Sequence, residues 1–122
     1  MDARTLARGQ AIGRAVLGAG LSVAPGRVAG PWVGAPARRP AGAVLATAMG
    51  ARDVGLGLGM LRALDQGHGA AAWIRAGMLA DAADAIATVR ARRALPGLMV
   101  PVVAAMAASS VALGAWLQRE LD

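Results

Sequence analysis

Four long apolar runs constrain this chain more than any other feature of its sequence. They cover residues 6–24, 41–64, 70–89 and 97–117 of the 122. At a rise of ~1.5 Å per residue, each run can cross a ~30 Å hydrocarbon core as a helix. Hydrophobic residues make up 57% of the chain and charged residues only 16%. We therefore predict an all-α fold, a polytopic membrane four-helix bundle in which residues 1–122 form a single four-span domain.

Two other interpretations of the apolar runs are less consistent with the residues. A soluble, alanine-rich bundle needs charges at helical spacing on each outer face, and the run 97–117 has no charged residue. Arg4 and Arg8 before an apolar stretch ending at Ala24 are similar to a signal peptide. However, Pro25 directly follows the cleavage site that a signal peptide would have, and Arg14 interrupts its apolar part. We therefore expect the first run to be a retained membrane helix.

The segments between the runs are expected to be connections. Residues 65–69 and 90–97 are typical of tight polar turns, whereas residues 25–40 are predicted to form a long loop without a helix. That loop contains several residues that usually interrupt helices, namely Pro25, Pro31, Pro36, Pro40, Gly26, Gly30 and Gly34. Its apolar Trp32 leaves two roles open, an anchor at the membrane interface or a lid over one end of the bundle.

Arginines beside the runs predict the orientation. The connections after the first and third runs contain more arginines than the termini and the middle connection. Those two connections contain Arg27, Arg38, Arg39, Arg90, Arg92 and Arg93, whereas the termini and the middle connection contain Arg4, Arg8, Arg62 and Arg119. This difference favours a multi-pass protein of the inner (plasma) membrane with both termini outside.

Charged residues near the middle of the runs are the main candidates for function. Arg52 and Asp53 lie in the second run, and Asp81 and Asp84 lie in the third. Each such charge costs ~2.5–3.5 kcal/mol at the centre of a membrane helix, so the charges must face one another or water inside the bundle. We expect Arg52 to pair with Asp81 or Asp84, with Arg14 of the first run completing the cluster.

Asp81 and Asp84 are the candidate catalytic residues, with Arg52, Asp53 and Arg14 as binding residues. Two carboxyl groups one helical turn apart in an apolar medium do not both ionise readily, so we expect one carboxylate and one carboxylic acid. That pair suits general acid–base chemistry or proton exchange. The alternative is structural, because Arg52 and one aspartate could simply form an ion pair that fixes the helix register.

Several other classes of function are disfavoured. The net charge is +6, but no basic stripe with interleaved aromatic residues is present, so we predict no nucleic-acid partner. The chain has no cysteine and a single histidine, His68, so no metal site or cofactor is expected. Gly55, Gly57 and Gly59 do not follow the spacing of a dinucleotide-binding loop. Gly9 with Gly13, and Gly55 with Gly59, instead predict close helix packing.

Two stretches of the sequence resemble a known group of proteins. They are residues 48–59, with Gly-Ala-Arg-Asp before alternating glycine and leucine, and residues 77–84, Gly-Met-Leu-Ala-Asp-Ala-Ala-Asp. The chain resembles a family of small four-helix membrane proteins of unknown function common in actinobacteria and, more distantly, the DoxX-type membrane proteins. The resemblance implies a four-helix bundle and carries no catalytic residues over to this chain.

Three functions are compatible with these residues. The first is a bundle that binds or conducts a small lipophilic molecule or protons through the Arg/Asp cluster. The second is a membrane-embedded acid–base enzyme, a cyclase, isomerase or epoxide hydrolase acting on an isoprenoid or polyketide-like substrate. The third is an accessory subunit of a membrane complex. The expected partners are the lipid bilayer, a small lipophilic ligand and further copies of this chain in a homo-oligomer.

Overall fold

A computed structural model describes residues 1–121; Asp122, the last residue of the predicted domain, lies outside the described residues. Within residues 1–121 the fold is all-α, without β-strands. The α-helices are α1 (Ala3–Val23), α2 (Pro25–Val33), α3 (Pro40–Gln66), α4 (Ala70–Arg90) and α5 (Met99–Leu121), and a 3₁₀ helix (Ala35–Arg38) lies between α2 and α3. The four long helices match the four apolar runs to within four residues at either end.

The predicted loop 25–40 is wrong, because most of it is helical. Three of its prolines, Pro25, Pro36 and Pro40, each stand in the first turn of a helical element, where the missing N–H would have had no partner. Pro31 lies inside α2 and removes only one intrahelical hydrogen bond. The prolines in this segment therefore begin helices more often than they interrupt them.

Glycines allow α1 and α3 to pack closely, but they are not the glycines expected from the sequence. A Cβ atom at Gly18 would lie 2.5 Å from the carbonyl oxygen of Gly50, and one at Gly57 would lie 2.5 Å from the carbonyl oxygen of Ala11. A Cβ at Gly9, Gly13 or Gly55 would meet nothing within 4 Å. Gly59, the fourth glycine of the predicted packing faces, is in close contact, since a Cβ there would overlap the indole ring of Trp73 in α4. The predictions for Gly9, Gly13 and Gly55 were wrong because spacing alone does not fix the rotation of each helix toward its neighbour.

Two apolar clusters occupy opposite ends of the bundle. At one end, buried residues of α1, α3, α4 and α5 pack together: Ala7, Ala11, Met60, Leu64, Ile74 and Leu117. At the other, α2 and the 3₁₀ helix cover α1 and α3 through Leu21, Ala29, Ala37 and Ala46. In α1 and α3, the charged residues singled out in the sequence, Arg14, Arg52 and Asp53, lie between the members of these two clusters.

Two helices, α3 and α5, are long and apolar enough to cross a membrane. In their most apolar windows of 18 residues, only 28% and 17% of the residues are buried inside the protein. The other two long helices, α1 and α4, are not apolar enough by the same measure of hydropathy and charge, because both contain several charged residues. These are Arg4, Arg8 and Arg14 in α1, and Arg75, Asp81, Asp84 and Arg90 in α4. Length and composition therefore support two of the four predicted spans.

Candidate functional site

The five candidate site residues meet in one charged cluster, which consists of Arg14, Arg52, Asp53, Asp81 and Asp84. Arg14 comes from α1, Arg52 and Asp53 from α3, and both remaining aspartates from α4. Asp81 and Asp84 share a helix face because they are three residues apart. Three helices thus contribute charged groups to the cluster.

Arg14 joins α1 to both α3 and α4. Its Nη1 lies 3.4 Å from Asp53 Oδ1, and its Nη2 lies 2.5 Å from Asp81 Oδ2. The side chain of Arg14 is only 14% exposed, and those of Asp53 and Asp81 are 9% and 16% exposed. The ion pair is therefore largely shielded from water, and removal of either partner would leave a charge uncompensated.

Arg52 pairs with Asp84, one of the two partners that the sequence allowed. Nη1 donates to Asp84 Oδ1 at 3.1 Å and Nη2 donates to Oδ2 at 2.7 Å, which is the two-pronged geometry that fixes both planar groups. Arg52 Nε and Nη2 also donate to Asp53 Oδ1, each at 3.2 Å. Asp81 and Asp84 consequently each pair with a different arginine, Arg14 and Arg52.

Ser110 brings α5 into the cluster. Its hydroxyl donates to Asp81 Oδ2, and the Gln10 amide donates to the Ser110 oxygen at 3.3 Å. Ser109, its neighbour, is exposed. A pair of serines in the charge-free run 97–117 was the only signal in the sequence, and it could not show which serine faces the cluster.

Trp32 connects α2 to the opposite edge of the cluster. Its indole N–H donates to the Thr88 hydroxyl at 3.1 Å, and that hydroxyl donates to the carbonyl oxygen of Asp84 at 2.7 Å. Thr88 is buried, with 3% of its surface exposed. This hydrogen bond ties α2 to α4, which favours the lid over the interfacial anchor.

A cavity of about 460 Å³ opens beside the cluster. The polar part of its wall is formed by Gln10, Arg14, Asp53, Asp81, Asp84 and Ser110. The rest is apolar and comes from α1, α2, α3 and α5, including Leu17, Leu21, Val28, Trp32, Met49, Met99, Val103 and Met106. This volume and this mixture of an apolar wall with a few converging polar groups are typical of small-molecule sites.

A second, smaller cavity of about 30 Å³ adjoins the same polar residues. Gln10, Arg14 and Ser110 line both cavities, and the smaller one continues between α3 and α4 past Met60 and Trp73. Its volume is enough for a water molecule with polar partners. The charged cluster therefore lies between a ligand-sized space and a water-sized one.

Comparisons with protein-family models, with curated proteins and with solved structures found no match. The resemblance to small actinobacterial four-helix membrane proteins, and to DoxX-type proteins, accordingly stays a prediction.

Proposed function

We propose that this chain is a four-span membrane protein that binds a small lipophilic molecule in the 460 Å³ cavity. The spans are α1, α3, α4 and α5. Large apolar side chains cover their outer surfaces, as shown by Val16, Leu45, Leu79 and Val102, which are 67%, 67%, 73% and 45% exposed. In water such faces favour aggregation, whereas in a bilayer they contact lipid.

The charged residues of α1 and α4 are compatible with membrane spans because those near the middle of each helix form ion pairs inside the bundle. Arg14, Asp81 and Asp84 are paired inside the bundle, so they do not face lipid. Arg8 pairs with Asp65 at one end of the bundle, where both side chains are about half exposed. The other charges that exclude α1 and α4 on composition, Arg4, Arg75 and Arg90, lie within six residues of a helix end, where a long arginine side chain can extend to the membrane–water interface.

Single-cysteine labelling tests the four-span arrangement, and the natural chain has no cysteine to interfere. His68→Cys lies in the turn between α3 and α4, and Ala94→Cys lies in the turn between α4 and α5. In intact cells we expect an impermeant maleimide to label His68→Cys, and to label Ala94→Cys only after permeabilisation. Labelling of both from the same side, or recovery of the protein outside the membrane fraction, would contradict the four spans.

The cavity is the observation on which the binding function depends. It is mainly apolar, and its single polar wall can orient one end of a ligand. Gly13 lines it, and a Cβ there meets nothing within 4 Å, so a large side chain can enter the cavity without moving the backbone. A Cβ at Gly9, one turn earlier in α1, also meets nothing within 4 Å, but Gly9 does not line the cavity.

These two glycines supply a matched pair of variants for testing ligand binding. Protein purified in mild detergent is extracted with organic solvent, and the extract is analysed by mass spectrometry. We expect a specific small molecule to accompany the wild type and Gly9→Phe, and to be lost from Gly13→Phe. Identical extracts from all three proteins, with ordinary lipids only, would contradict the proposal and favour a purely structural cluster.

Proton conduction is a second candidate, supported by the second cavity. The Ser110 hydroxyl donates to Asp81 and also lines the water-sized space, so a proton can move between the Asp81 carboxyl group and water through Ser110 while both arginines of the cluster stay protonated. A proton leak in liposomes that is present in wild type and absent in Asp81→Asn supports this function. Equal leak from both proteins would remove it.

A further inference from the structure

The cavity wall carries more negative than positive charge. Within residues 1–121, its charged lining residues are one arginine, Arg14, and three aspartates, Asp53, Asp81 and Asp84. Arg52 pairs with two of these aspartates but does not itself line the cavity. Even with Arg52 included, two guanidinium groups face three carboxylates, which leaves one negative charge uncompensated when all are ionised.

Two carboxylate oxygens on this wall remain available to accept a hydrogen bond from a ligand. Asp53 accepts its hydrogen bonds at Oδ1, and Asp81 accepts both of its hydrogen bonds at Oδ2. In the part of the chain that the structure describes, no side chain donates to Asp53 Oδ2 or to Asp81 Oδ1. Each is an acceptor that lacks a protein donor, so a ligand that offers N–H or a positive charge complements this wall better than one that offers oxygen lone pairs.

We infer that the ligand of this cavity is a lipophilic organic cation, such as a protonated amine, whose positive end lies against Asp53 and Asp81. The inference rests on the proposed binding function and specifies the ligand class. One positive charge on the ligand neutralises the excess negative charge, which no protein group inside the bundle compensates.

The apolar part of the wall suits the same class of ligand. Trp32 lines the cavity, and the face of an indole attracts organic cations. Met49, Met99 and Met106 also line it, and their flexible, polarisable side chains adapt to varied apolar shapes. A metal ion is less suitable, because no three metal-ligating side chains converge anywhere in residues 1–121.

Isosteric probes of different charge test the inference. The cation is (2-naphthylmethyl)trimethylammonium, the neutral probe replaces its trimethylammonium group with tert-butyl, and the anion is 2-naphthylmethanesulfonate. Binding is measured calorimetrically to protein in nanodiscs of phosphatidylcholine, with the signal of empty nanodiscs subtracted. For wild type we expect the cation to bind at least about tenfold more tightly than the neutral probe, as one charge-assisted contact predicts, and the anion to bind weakest.

Matched variants assign the preference to the cavity. Asp81→Asn removes the excess negative charge, so we expect the preference for the cation to fall below about threefold, while the neutral probe still binds. Asp65→Asn is the control, since Asp65 also pairs with an arginine but is 63% exposed and lies outside the cavity. It should keep the wild-type preference.

The outcomes separate the two proposals. Equal affinity of wild type for the cationic and neutral probes, or an unchanged preference in Asp81→Asn, would overturn the inference about charge and leave the binding function standing. Binding of none of the probes would overturn both. If Asp81→Asn does not fold, the order of the three affinities in wild type still decides whether the ligand is a cation.

Discussion

Two ion pairs connect α1 to neighbouring helices with the same shortest N–O distance, 2.5 Å, in very different surroundings. In the pair Arg8–Asp65 the side chains are 47% and 63% exposed. In the pair Arg14–Asp81 they are 14% and 16% exposed, and further polar groups contact both. The comparison shows that distance does not reveal the importance of an ion pair, because water can replace the partner of Arg8 but not that of Arg14.

Replacing the arginine of each pair should give the largest difference between the two pairs, measured as the loss in free energy of unfolding. Arg14→Leu leaves Asp53 and Asp81 without their shared donor, so we expect it to lower the free energy of unfolding by about 3–5 kcal/mol. Arg8→Leu should lower it by no more than about 1 kcal/mol. Titration with SDS of each protein in mild detergent, followed by far-UV circular dichroism, measures both values. Similar losses in the two variants would show that the cluster is as accessible to water as the exposed pair.

Double-mutant cycles sharpen the comparison by isolating each pair. For Arg14 and Asp81 we expect a coupling energy of about 1.5–3 kcal/mol, the range for hydrogen bonds to charged groups. For Arg8 and Asp65 the expected coupling is about 0.2–1 kcal/mol. The same unfolding titrations, carried out on the single and double alanine variants, supply both cycles. A coupling below that of the exposed pair would mean that Ser110 and Arg52 fully replace the missing partner.

Added salt should produce the smallest effect, a loss of coupling energy at the exposed pair Arg8–Asp65 only. Raising the ionic strength from ~0.01 M to ~1 M shortens the screening length from about 30 Å to about 3 Å. We expect the coupling of Arg8 with Asp65 to fall toward zero, while that of Arg14 with Asp81 stays within about 0.5 kcal/mol of its low-salt value. The two cycles repeated at both salt concentrations check this. Equal loss of coupling would contradict the shielding of the cluster.

The cluster was largely predictable from the sequence because a charged residue inside an apolar run must face another charged residue or water within the bundle. Arg52, Asp81 and Asp84 had to pair across the bundle, and the short turn between α3 and α4 made these helices neighbours. The sequence could not assign the partners, since that choice depends on how far each helix is rotated. Arg14 was expected only to complete the cluster, yet it joins α1 to both α3 and α4.

The helix α2 and the glycine contacts were not predictable for two different reasons. Prolines act as interruptions inside a helix and as favourable residues in its first turn, and residue type does not distinguish these positions. Gly18, Gly50 and Gly57 were missed because contact between helices is set by tertiary packing, not by spacing along one of them.

The position of Trp32 also gives the protein an intrinsic optical label. The chain has no tyrosine or phenylalanine and only three tryptophans, so its near-ultraviolet absorption and its fluorescence come from three indoles. Trp73 and Trp116 are each 39% exposed, and neither lines the large cavity. With those two replaced by phenylalanine, the emission spectrum would come from Trp32 alone and would report the polarity and occupancy of the cavity without any added dye.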